Sequence, residues 1–218
     1  MIRKRKALVI LLVVALICSA GSVYAYYTST DRLLNTFVVG DIDIELSEPL
    51  YEAEDASDRS ALEPDSDIIK DPQVTNVGTN DAYIFIEVNI PREDVMTANR
   101  TSGAKITSRV QDLFDFSVSD GWQLVSSDVS GNHSSYVYAY TEDSNHLCKL
   151  KPGETTTVLF KNNKIHLINI VEGQGIQEKQ FNIPIIAYAI QAENITASDT
   201  DDPSEVWTVI CNQKGGRS

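Results

Sequence analysis

An antiparallel all-β sandwich, jelly-roll-like, is the fold predicted by this 218-residue chain, and three observations predict it. Short runs rich in β-branched and aromatic residues alternate apolar and polar with period 2. Turn residues (Gly, Pro, Asn, Asp) punctuate those runs at short intervals. No long segment carries the 3.6-residue period of an amphipathic helix. Roughly eight to ten short strands in such an order fit a sandwich or jelly roll.

Ahead of the β region lies an export signal. Arg3, Lys4, Arg5 and Lys6 form a basic head, and Ala7 to Ile17 is an uninterrupted apolar run. Val23-Tyr24-Ala25 then offers a small-x-small cleavage site, with Val23 and Ala25 as its determinants. The apolar run falls short of the ~20 residues that span a bilayer, so a cleaved signal over 1–25 is expected rather than an anchor. A lipoprotein reading at Cys18 is weaker, because the preceding Ile17 is not small. Residues 26–218 are expected to form one sandwich domain, with contact to the membrane only in transit.

The first strand candidate follows almost without a spacer, within Tyr26 to Leu46. Ile42, Ile44 and Leu46 face one way, whereas Phe37 and Val39 have the opposite parity, and Gly40 marks the slip as a bulge. Glu48 to Ser66 is acidic and reads as a loop. Asp67 to Val77 is a strand candidate broken at Pro72. Tyr83 to Ile90 begins apolar on both faces, which predicts a central position, and Pro91 is expected to end it. Arg92 to Ser108 reads as a polar loop. Phe114, Phe116 and Val118 share a face. Ser119-Asp120-Gly121 turns the chain into a strand at Trp122 to Val125. Tyr136, Tyr138 and Tyr140 form a stripe on the next strand, expected to pack against a neighbouring sheet. Lys151-Pro152-Gly153-Glu154 is a turn into Thr155 to Phe160, followed by Ile165 to Ile170 and by Phe181 to Ala192. Near the C-terminus, Asp202, Pro203 and Glu205 make a helix-capping pattern. It competes with the strand preference of Val206-Trp207-Thr208-Val209-Ile210, and a short helix is the expectation.

Removing residues 1–25 leaves 14 basic against 31 acidic residues, 14 − 31 = −17. A chain this acidic repels nucleic acid and anionic membranes. Three cysteines occur, and Cys18 leaves with the signal. Cys148 and Cys211 then either pair, closing a loop worth ~4 kcal/mol on the chain-entropy estimate, or pack as separate small apolar groups; both readings stand at this point.

The residues nominate no catalytic, cofactor or metal site. His133, His146 and His166 lack ligand spacing, and no Cys-x-x-Cys, phosphate-binding glycine loop or nucleophile elbow is present. His166 reads as a strand residue and the other two as surface groups. Asp65-Ser66-Asp67 and Asp199-Thr200-Asp201-Asp202 lack the glycine and distal glutamate of a helix–loop–helix calcium site and read as solvated loops. Asn-x-Ser/Thr triplets at Asn99, Asn132 and Asn194 are read as chance in a chain whose signal looks bacterial.

Several segments together resemble the TasA/camelysin family of Gram-positive bacteria. They are Ala25-Tyr26-Tyr27-Thr28-Ser29-Thr30-Asp31, Asn35 to Ile44, Ile69 to Tyr83, Gly121-Trp122, Lys151 to Glu154, and Ile185 to Ala192. The resemblance implies processing by a SipW-type signal peptidase and a jelly-roll-like domain secreted to the cell surface or biofilm matrix. It implies a non-enzymatic extracellular fibre protein, a homopolymer in which the N-terminal strand of one subunit completes the sheet of the next, with other matrix or anchoring proteins as further partners. The assembly strand would then use Phe37, Val39, Ile42, Ile44 and Leu46 as its pegs. Two alternatives from other classes are a camelysin-like surface metallopeptidase, for which the chain offers no zinc motif, and a monomeric surface adhesin.

Overall fold

The computed structural model describes residues 42–54, 63–143, 145–174, 179, 181–193, 195, 197 and 201–215. In chain order the strands are β1 (Ile44–Ser47), β2 (Asp67–Ile69), β3 (Gln73–Asn76), β4 (Ala82–Ala98), β5 (Lys105–Asp112), β6 (Phe114–Asp115), β7 (Trp122–Ser130), β8 (His133–Tyr140), β9 (Lys164–Leu167) and β10 (Ile185–Gln191). A short helix α1 (Pro49–Ala53) follows β1, a 3-10 turn (Lys161–Asn163) precedes β9, and helix α2 (Pro203–Gly215) comes last.

β4 is the spine. Tyr83, Ile84, Phe85 and Ile86 are all buried to 1% exposure or less, as expected for a strand apolar on both faces. It pairs with β10 on one edge and β8 on the other, and β7 completes the order β10-β4-β8-β7. Every ladder among the described strands is antiparallel. The facing layer holds β2-β9-β6 and β1-β3. Residues 153–156 line the free side of β3: Thr156 N–H donates to the Val74 carbonyl at 2.9 Å and Asn76 N–H to Glu154 at 3.0 Å. The result is an antiparallel, sandwich-like β fold with one C-terminal helix, the class the alternation predicts.

The main core lies between the layers. Ile84, Ile86, Val88 and Tyr138 meet Ile44, Val74, Phe114, Leu159, Phe160, Ile165 and Leu167 there. The tyrosine stripe joins this core: Tyr136 and Tyr140 pack against it, and Phe116 sets its ring edge to Tyr136, Tyr138 and Phe160 at 5.9, 6.1 and 5.0 Å between centroids. Burial, with Tyr136 beside it, pushes the Tyr138 hydroxyl up to about 12. A second apolar cluster covers the other face of the main sheet. It contains Tyr83, Phe85, Val137, Tyr188 and Ile190 together with Val206 and Ile210 of α2.

Four local expectations are corrected. Pro91 does not end its strand, because it sits where β4 changes partners. Pairing with β8 finishes at Pro91↔His133 and pairing with β5 begins at Arg92↔Asp112, so a missing N–H is tolerated there. The expected loop from Arg92 is therefore the second half of β4 and the first half of β5, a ribbon turning near Asn99 to Ala104, where Asn99 Oδ1 accepts the N–H groups of Thr101 and Ser102, each at 2.9 Å. The acidic stretch after Glu48 contains α1, whose Leu50 and Tyr51 N–H groups donate to the Asp71 carboxylate at 2.8 and 3.1 Å. The expected strand at Thr155 to Phe160 makes only single bridges, Thr75↔Thr155 and Val118↔Phe160.

The expected C-terminal helix is present. Asp202 Oδ1 accepts the N–H groups of Ser204 at 2.9 Å and Glu205 at 2.8 Å, and Pro203 occupies the first helical position. Trp207 lies against Phe85 and Tyr188, with ring centroids 5.5 and 5.4 Å apart. Tertiary burial outweighs the strand preference of Val206 to Ile210. Asp202→Ala is expected to cost about 1 kcal/mol; urea unfolding should show a lower midpoint with an unchanged slope.

Candidate functional site

The richest concentration of polar chemistry among the described residues lies on the outer side of β2-β9-β6. It follows from strand register. Asp67 opposes His166 across β2–β9, and His166 opposes Asp115 across β9–β6. Residues in register on neighbouring strands share a face, so the two carboxylates flank the imidazole. Ile165 and Leu167 on either side of His166 point into the core, at 1% and 7% exposure, which leaves Lys164 and His166 facing out.

Two loops close over this row. The turn before β2 brings Asp65, held at a positive φ of 65°. The tip of the β4–β5 ribbon brings Arg100. His166 Nδ1 lies 2.8 Å from Asp67 Oδ1 and Nε2 lies 3.3 Å from Asp65 Oδ1. A carboxylate only accepts, so Nδ1 carries the proton toward Asp67. A guanidinium only donates, so Nε2 accepts from Arg100, whose Nε also donates to Asp65. Lys164 Nζ donates to Asp67 Oδ2 at 3.2 Å. The hydrogen bond from His166, then that from Lys164, holds the Asp67 carboxyl below the usual carboxylate range. The chain Lys164–Asp67–His166–Arg100–Asp65 thus ties β2, β9 and the ribbon tip together.

Beside this chain opens a cleft of about 360 Å³ lined by Asp67, Arg100, Asp115, Phe116, Ser117, Lys161, Asn162, Lys164, Ile165 and His166. Asn162 and Asn163, at φ 60° and 58°, bend the backbone sharply at its wall. Asn tolerates this left-handed conformation better than most residues.

The residues singled out from sequence fall into three groups. Val23, Ala25, Phe37 and Val39 lie outside the described residues, as does the bulge expected at Gly40. Ile42, Ile44 and Leu46 share one face and pack on the main core, Ile44 at 8% exposure. β1 pairs in this chain with β3, Ile44↔Asn76 through Ser47↔Gln73. Cys148 is half-buried, Cys211 is exposed, and both are free thiols. Burial raises each thiol above its ordinary value.

His133 and His146 stay near the surface beside Asn132 and Asp143. His166 is the strand residue expected. It also anchors a network with Asp65 and Asp67, which alternation did not reveal. Asp202, from the second acidic run, is the helix cap. Among the described residues, no group of three or more His, Cys, Asp or Glu side chains is placed to hold a metal ion, and no helix is long and apolar enough to cross a membrane.

No protein-family model, curated protein or solved structure matches the chain.

Proposed function

We propose that this chain is a secreted structural protein of the bacterial cell surface or biofilm matrix that assembles into fibres by N-terminal strand donation. The observation that carries the reading is the state of β1. It is short, it has one hydrogen-bonded neighbour, β3, and it puts the alternate side chains Ile42, Ile44 and Leu46 on the core. A strand so placed can leave one copy and occupy the same slot in the next, with the same backbone bonds and the same pegs. The likeness of the N-terminal segments to TasA-type proteins supports the same reading, with itself and matrix or anchoring proteins as partners.

The test compares mature protein starting at Tyr26 with protein starting at Ser47, by light scattering and negative-stain microscopy. Fibres are expected from the first only. Circular dichroism separates a folded monomer from an unfolded chain in the second. Because truncation can unfold the domain, a lock is added: Glu45→Cys with Thr75→Cys, a cross-strand pair at a separation a disulfide spans, in a Cys148→Ser, Cys211→Ser background. The oxidised lock should stay monomeric and form fibres once reduced. Mature protein that remains monomeric across concentration and pH would overturn the proposal.

A further inference from the structure

We propose that the cleft beside His166 is a binding site for a neutral saccharide of one or two rings. This inference stands apart from the assembly reading and uses different residues.

The first argument is charge. Asp67 and Asp115 face Arg100, Lys161 and Lys164 in the lining, and Asp65, just outside it, pairs with Arg100. With Asp65 counted, three acids stand against three bases, in a chain that elsewhere is strongly acidic. A site for a singly charged ligand needs an excess of the opposite sign, and this one has none.

The second argument is which groups remain available. Asp65, Asp67, His166, Arg100 and Lys164 are engaged with one another. That mutual engagement fixes their positions, so little ordering remains to be done when a ligand arrives. Asp115, Ser117, Lys161 and Asn162 line the same cleft, are exposed, and have no side-chain hydrogen bond or ion pair to another described residue. They comprise an acceptor, a donor and two groups that do both. Adjacent hydroxyls on a sugar ring each donate and accept. Such a ligand can donate to Asp115, accept from Lys161, and satisfy both roles at Ser117 and Asn162.

The third argument is shape. About 360 Å³ is at the small end of the ~300–1,000 Å³ range of ligand sites. It suits one or two pyranose rings. Phe116 and Ile165 supply an apolar part of the lining, against which the C–H face of a sugar can lie.

The experiment is saturation-transfer NMR followed by calorimetry on the mature protein. The probes are neutral mono- to trisaccharides of glucose, galactose, mannose and N-acetylglucosamine, with inorganic phosphate and free lysine as charged and zwitterionic comparators. The variants are Asp115→Ala and Asn162→Gly, the latter chosen because glycine accepts the positive φ at that position. Circular dichroism verifies that both fold. The expected result is binding of at least one neutral saccharide, weakened about tenfold or more by each variant, as loss of a hydrogen bond to a charged group implies for Asp115, and insensitive to salt. Three outcomes overturn the proposal: no neutral saccharide in the panel binds; binding persists undiminished in both variants; or phosphate or lysine is the ligand the cleft takes.

Discussion

Asn76→Leu is expected to destabilise the domain by about 3 kcal/mol, although leucine matches asparagine closely in size. Asn76 is fully buried, at 0% exposure, at the end of β3. Its Nδ2 donates to the Asn80 carbonyl at 2.9 Å and to the Leu150 carbonyl at 2.8 Å, and its Oδ1 accepts the Gly78 N–H at 3.0 Å. One side chain therefore ties the turn before β4 to the chain entering the Lys151–Glu154 turn. Leucine leaves all three partners without it. Gly78 N–H still has the Asp43 carbonyl and Leu150 still receives Ala82 N–H, so the loss is less than three full desolvation penalties of roughly 1–3 kcal/mol each. Asn76→Asp should be worse than Leu at neutral pH. It removes both donors and turns a carboxylate toward two carbonyl oxygens. Urea unfolding of both variants checks this. A loss below about 1 kcal/mol for Leu, or Asp better tolerated than Leu, would show that the hydrogen bonds of Asn76 are not what fixes the turn.

Asn76 also shows where sequence reading stops. Period 2 identifies a strand before Asn76, and the Gly78-Thr79-Asn80-Asp81 turn after it is plain. That the side chain reaches a carbonyl at Leu150, 74 positions away, depends on how the two layers are laid together. The same holds for the cleft. Lys164 and His166 are outward-facing by alternation, and Asp65 and Asp67 are conspicuous acids. The register that sets Asp67, His166 and Asp115 in one row pairs strands about a hundred and about fifty residues apart, and no local pattern encodes it. What was legible was local: the two-sided burial of β4, the inward tyrosine stripe, the break at Pro72, the turn at Gly121 with its φ of 90°, and the cap of α2. The misreadings have local causes too. A proline inside one ladder ends a strand, whereas Pro91 lies between two ladders. The polar Arg92–Ser108 segment concealed a ribbon because β5 is exposed along most of its length, so its composition carries no apolar face.

Val206→Asp should be the most damaging single change in α2, with a loss of about 4 kcal/mol or more at neutral pH. Val206 is at 0% exposure in the cluster formed with Tyr83, Phe85, Val137, Tyr188 and Ile190. The one cation seen against this cluster among the described residues, Lys214, lies two turns further along α2, over the Tyr188 ring at 3.6 Å and within 4.0 Å of Glu87, so a carboxylate at position 206 is desolvated without a partner of its own. Its pKa in the folded state must then rise above the unfolded value of about 4. Between those two values the folded state holds the extra proton, so stability falls as pH rises through that interval. The variant should recover part of its loss below about pH 4, relative to the parent protein at the same pH. Val206→Ala, which removes volume without charge, should cost about 2 kcal/mol and show no such recovery. The reason to expect so large an effect from one helix residue lies in the sheet beneath it. β4 is apolar on both faces, and α2 packs on the second one, so a helix pushed off that surface exposes Phe85 and Tyr188, the rings against which Trp207 lies. Increased binding of an apolar dye by the folded variant would report that exposure. A Val206→Asp protein as stable as its parent at neutral pH, with no added dye binding, would mean that the second face of β4 does not depend on the helix.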